Sequence, residues 1–144
     1  MRLRAGELLA LIGASCVIVA LFLRNYENAG GPLTGFDTFG PALALMLVAA
    51  VGALGLVLAT VTERSSAMPV AAAVWTTLLG SIAVIAAVIR VLERPQHATQ
   101  VCVGSWLALG GSVAILVGAW LSMRDERTSL YGPASPETRP PPAP

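Results

Sequence analysis

The side chains able to do chemistry are few, and their placement restricts what they can do. His97 is the single histidine, in a polar segment beside Pro95 and Gln96. Glu27, Asp37 and Glu93 fall in the same class of polar segment, so the four can in principle converge on a cation. The glycine-rich stretch between them offers no fixed coordination geometry, and a lone loop histidine is more often a surface residue than a base or ligand. No nucleophile elbow, phosphate-binding loop or metal-ligand spacing is present. Cys16 and Cys102 both lie inside apolar runs, where a thiol behaves as a small hydrophobe. Thr77 and Ser81 sit one helical turn apart and are the pair placed to line a substrate path. The plainer expectation for them, and for Ser15, Thr60, Thr76, Ser105, Ser112 and Ser122, is bonding to carbonyls of their own helix, or across helices for about 0.6 kcal/mol each. Ion-coupled carriers need an ionisable group within the membrane, and only Glu7 touches the end of an apolar run. The expectation is a protein without catalytic residues, cofactor or metal.

A different chemistry is better represented, that of close approach between backbones. Gly104, Gly111 and Gly118 recur every seventh residue, and the same spacing relates Gly6, Gly13 and Ala20, then Gly52 and Ala59, then Ala73, Gly80 and Ala87. In lipid there is little hydrophobic drive between helices, so association rests on small residues that let helices touch. A strict heptad predicts left-handed crossings near +20°. Gly13, Gly52, Gly80, Gly104, Gly111 and Gly118 are therefore candidate packing or partner-interface residues.

The elements that carry these residues are membrane spans. Of 144 residues 56% are hydrophobic and only 12% charged, against roughly 25% charged in a soluble domain. About 20 helical residues cross a bilayer core, and four runs qualify: 6–23, 41–62, 67–89 and 101–123. The continuation of the first run past Cys16 argues for an uncleaved helix rather than a secretory signal. Thr38, with Pro41 behind it, is the expected cap of the second span, Ser65 or Ser66 of the third, and Thr99 of the fourth. Trp106 and Trp120 are placed as interfacial anchors, while Trp75 falls deeper and is expected to be packed. Arg2, Arg4, Arg64, Arg124, Arg127 and Arg139 lie on one side of the spans and Arg24, Arg90 and Arg94 on the other. That imbalance predicts both termini in the cytoplasm. The fold expected is all-α, a left-handed four-helix transmembrane bundle over residues 1–127, with a disordered Pro-rich tail over 128–144.

The first outer loop, 24–40, is rich in glycine and aromatic residues. Tyr26, Phe36, Asp37 and Phe39 are its candidate interaction residues, the three aromatics being suited to the lipid interface. An offset of 66 pairs Arg24 with Arg90 and Glu27 with Glu93, which is compatible with a duplicated helical hairpin. The net charge of +1 and the lack of a basic cluster argue against a nucleic-acid partner. A short basic start, an aromatic first outer loop, the tight Arg-Ser turn at 64–65 and the Met-Arg-Asp-Glu-Arg exit at 123–127 together resemble the small four-span membrane proteins of high-GC bacteria. That resemblance covers residues 1–127, implies no activity and supplies no catalytic residues; the setting expected is the bacterial plasma membrane. The function expected is a non-enzymatic scaffold or accessory subunit, in contact with lipid and with a protein partner or its own copies, the alternative being a small oligomeric transporter or channel.

Overall fold

The computed structural model describes residues 5–38, 40–62, 67–94 and 98–130. Four helices, α1 (Ala5–Ala20), α2 (Pro41–Val61), α3 (Ala67–Leu92) and α4 (Val103–Leu130), form one bundle. Each packs on its neighbours in the ring α1, α2, α3, α4, with α1 against α4 the most extensive contact, and α2 also meets α4 across the middle. Three of them, over Pro41–Val61, Ala71–Leu92 and Val103–Arg124, are long and apolar enough to cross a membrane. α1 is shorter than the expected span of 6–23. Its 16 residues extend about 24 Å at 1.5 Å per residue, under the ~30 Å of a typical hydrocarbon core. The helix stops because the chain turns at Leu21–Leu23, where Leu21 and Phe22 donate to the carbonyls of Ile18 and Val19 and the Gly35 N–H closes on the Leu21 carbonyl at 3.1 Å.

Small residues fill the inside and large ones the outside. The core is built largely of alanine, including Ala10, Ala14, Ala49, Ala50, Ala53, Ala83 and Ala87, around Leu43, Met46 and Ile115. Val51, Leu58, Leu78, Ile85 and Val117 all point outward. Water would penalise that arrangement at every exposed side chain, whereas lipid tails are as apolar as leucine and leave close packing to decide which face turns inward. The protein is a membrane-embedded, multi-pass helical protein.

The expectation of an all-α fold misses an element at one end of the bundle. The strands β1 (Arg24–Asn28), β2 (Gly31–Thr34) and β3 (Gln100–Val101) form an antiparallel sheet in the order β2-β1-β3. β1 and β2 make a hairpin whose turn is fixed by the Asn28 side chain, which accepts from Gly30 N–H at 2.8 Å. Gly31 follows at φ +126°, a backbone conformation that side-chain-bearing residues rarely adopt. The first two residues of the fourth predicted span belong to this sheet's surroundings, and α4 starts at Val103. α3 runs on past 89 to Leu92, and α4 past 123 to Leu130.

Two expected caps are replaced. Gly40 occupies the N-cap of α2 without a side-chain bond, and Pro41 begins the helix. Thr38 instead donates to the Thr34 carbonyl at 3.0 Å. Thr99 is four residues short of α4 and bonds the Glu27 carbonyl through both its N–H and its hydroxyl. Ser65, Ser66 and the tail beyond Leu130 lie outside the described residues.

Candidate functional site

The glycines of the heptad meet one another within the chain. On α1, a side-chain carbon placed at Gly13 would lie 2.6 Å from the Gly111 carbonyl and 2.7 Å from Ile115 N. On α4, one placed at Gly111 would lie 2.8 Å from the Gly13 carbonyl, and one at Gly118 would lie 2.5 Å from Ala10 N and 2.6 Å from the Gly6 carbonyl. Backbone therefore touches backbone along this seam, which only Gly permits at both surfaces. Gly80 serves the next seam, 3.1 Å from the Leu116 Cα by the same measure, and Gly52 faces Leu79 and Thr76 across α2 and α3. The Thr76 hydroxyl is shared between the carbonyls of Ala72 at 2.8 Å and Gly52 at 3.1 Å. Thr77 and Ser81 donate to carbonyls of their own helix, at 2.8 and 2.9 Å, as the plainer expectation had it.

Gly104 belongs to a separate cluster beneath the sheet. A side chain there would overlap the Asn25 side-chain oxygen and press on the Arg24 carbonyl. Tyr26, expected at the lipid interface, is fully buried instead. Its hydroxyl donates to the Arg90 carbonyl at 2.8 Å and accepts from Arg90 Nε at 3.4 Å, while the guanidinium lies 5.5 Å from the Tyr26 ring centroid. The same guanidinium donates to the Thr38 hydroxyl at 2.8 Å. The Asn25 carbonyl accepts from Cys102 N at 2.9 Å and from the Ser105 hydroxyl at 2.7 Å. Arg94 reaches the Thr99 carbonyl at 2.8 Å. Two of the three arginines that oppose the charge imbalance thus staple the sheet to the bundle. Their position past the end of an apolar run was the sequence signal. Nothing in the spacing told that Asn25, Thr38 and Ser105 would join them.

The remaining loop residues stay on the surface. Phe36 is 55% exposed and meets Phe22 edge to face, with ring centroids 5.3 Å apart. Asp37 accepts from the N–H and hydroxyl of Thr34 at 2.8 and 2.7 Å. These two bonds favour the charged carboxylate and hold its pKa below the ordinary 3.8. Phe39 and His97 lie outside the described residues. Among the described residues no three His, Cys, Asp or Glu come together in a way that could hold a metal. Trp106 and Trp120 face outward, and Trp75 does too, at 66% exposure, against the expectation that it is packed. Two buried oxygens have no hydrogen-bond partner among the described residues, Ser122 Oγ in the α1–α4 seam and Asn25 Oδ1 beneath the sheet. The chain matches no known family model, no curated protein and no solved structure.

Proposed function

We propose that this is a non-enzymatic scaffold or accessory subunit of a bacterial plasma-membrane complex, which offers its sheet-capped face to a partner outside the cytoplasm. The observation that carries the reading is the fastening of β1 through Tyr26 and Arg90. A loop that only joined two spans would not need a buried tyrosine and a half-buried guanidinium to hold it, because desolvating such groups is costly unless they are paired. The surface so held exposes Arg24, Glu27, Phe36 and Asp37. The arginine imbalance supports a left-handed bundle lying with both termini in the cytoplasm and the sheet outside, the heptad its handedness. The α1–α4 seam, closed backbone to backbone, argues against a solute path between those helices.

Native mass spectrometry after gentle extraction from the source membrane tests this directly. A second polypeptide in fixed stoichiometry, lost when Phe36→Ala and Asp37→Asn are combined, is the expected result. A homo-oligomer without any second polypeptide would reject the accessory role and move the transporter reading forward.

A further inference from the structure

β2 lies at the edge of the sheet, where a strand ordinarily shows unpaired N–H and C=O groups to any extended segment that passes. We infer that the turn 35–38 locks this edge, so that the sheet takes no added strand and a partner reads it through its side chains. The lock does not depend on the accessory role proposed above; recognition through side chains does.

The direction of each backbone group follows from the register. Glu27 turns its carbonyl toward β3, where it accepts from the Thr99 N–H and hydroxyl. Directly opposed residues of an antiparallel pair either bond each other or both turn away. Pro32, the register partner of Glu27, therefore faces the free edge, Leu33 faces β1, and Thr34 faces the edge again. Pro32 has no N–H to offer. The Thr34 N–H donates to Asp37 Oδ2 at 2.8 Å, and the Thr34 carbonyl accepts from the Thr38 N–H at 3.3 Å and its hydroxyl at 3.0 Å. Along β2 the edge thus keeps no free N–H and at most one carbonyl, that of Pro32. The turn is itself tied down on two sides. Gly35 N–H reaches the Leu21 carbonyl beyond α1 at 3.1 Å, and the Thr38 hydroxyl accepts from Arg90 of α3 at 2.8 Å. The opposite edge is short, since β3 has two residues, and the Thr99 carbonyl leading into it is held by Arg94 at 2.8 Å. What the sheet can present is the row across its strands, Pro32, Glu27 and Gln100, which are register partners and all exposed.

Opening the lock tests it in the intact protein. Asp37→Ala frees the Thr34 N–H, and Pro32→Val added to it restores the missing donor. By sedimentation equilibrium in detergent, the double variant is expected to self-associate on the order of tenfold more tightly than the wild type, the worth of one or two new backbone bonds. Hydrogen exchange is expected to show new protection over Gly31–Thr34 in the associated form. Asp37→Asn keeps an oxygen that can accept from Thr34 and is expected to sediment like the wild type. A double variant with unchanged helix content that also sediments like the wild type would overturn the lock. So would a Thr34 amide that exchanges in the wild type as freely as in an unfolded chain, a reading that needs no variant to fold. In the complex with a second polypeptide, exchange over Gly31–Thr34 is expected to stay as it is without the partner. Added protection there would mean strand addition and would overturn recognition through side chains, while leaving the accessory role in place.

Discussion

Tyr26 shows how much one side chain can decide when its surroundings are fixed. Tyr26→Phe keeps the ring against Arg90 and removes only the hydroxyl, so it is expected to cost about 1 kcal/mol. The loss would be seen as a lower unfolding midpoint in detergent and faster amide exchange in Arg24–Asn28. Arg90→Lys is expected to restore little, because an ammonium cannot reach Tyr26 and Thr38 together in the planar fork of a guanidinium. Asp37 gives a pH dependence of defined sign. Its folded pKa lies below the ordinary 3.8, so the unfolded chain binds the proton more readily. The contribution is present in full above the ordinary value and is lost as pH falls through the lower, folded one. Protection of the Thr34 amide, taken against its intrinsic exchange rate at each pH, is expected to fall with acidification below that range, and Asp37→Asn to remove the dependence. Unchanged protection in the wild-type protein would show that the carboxylate does not hold the turn.

Along the helices, the glycines separate into two kinds that composition alone does not distinguish. At Gly13 and Gly118 an added methyl meets backbone below 3.0 Å, whereas at Gly55 and Gly110 it meets nothing within 4 Å. Gly13→Ala and Gly118→Ala are expected to destabilise the bundle by about 1–3 kcal/mol each. Gly55→Ala and Gly110→Ala are expected to be neutral or stabilising by up to ~1 kcal/mol, from helix propensity alone. Unfolding of the four variants in one detergent would show the contrast, and equal effects would mean that the seam is not the close contact described. The heptad in the sequence marked the first kind because spacing by sevens keeps one face turned to a partner helix. The sheet was hidden for equally physical reasons. β1 reads Arg-Asn-Tyr-Glu-Asn, without β-branched residues, and a bulge between Arg24 and Tyr26 puts Asn25 and Tyr26 in the interior side by side. No alternation survives that slip. β3 has two residues, too few for any pattern. Thr38 and Thr99 failed as caps because each was placed by sequence proximity to a helix, and each spends its hydroxyl on the sheet's neighbourhood instead.

For the whole molecule, the outward turn of Trp75, Trp106 and Trp120 predicts that all three fluoresce into lipid. Brominated phospholipid is expected to quench each of the three single-tryptophan variants, and a Trp75 signal that resists quenching would place that residue in a protein contact. The largest helix contact joins the first helix to the last, across roughly 100 residues of chain, a separation that makes closure late and slow. While the ribosome is still translating α3, α1 waits in the bilayer with its glycine face against lipid, and the Asn25 carbonyl waits for donors from Cys102 and Ser105. A chain that ends after Leu92 keeps three of its helices yet never seals either contact, and a pulse-chase of that truncation is expected to show faster degradation than the full-length protein. The last helix is thus the checkpoint of biogenesis: until it arrives, the membrane's quality control sees an unfinished product.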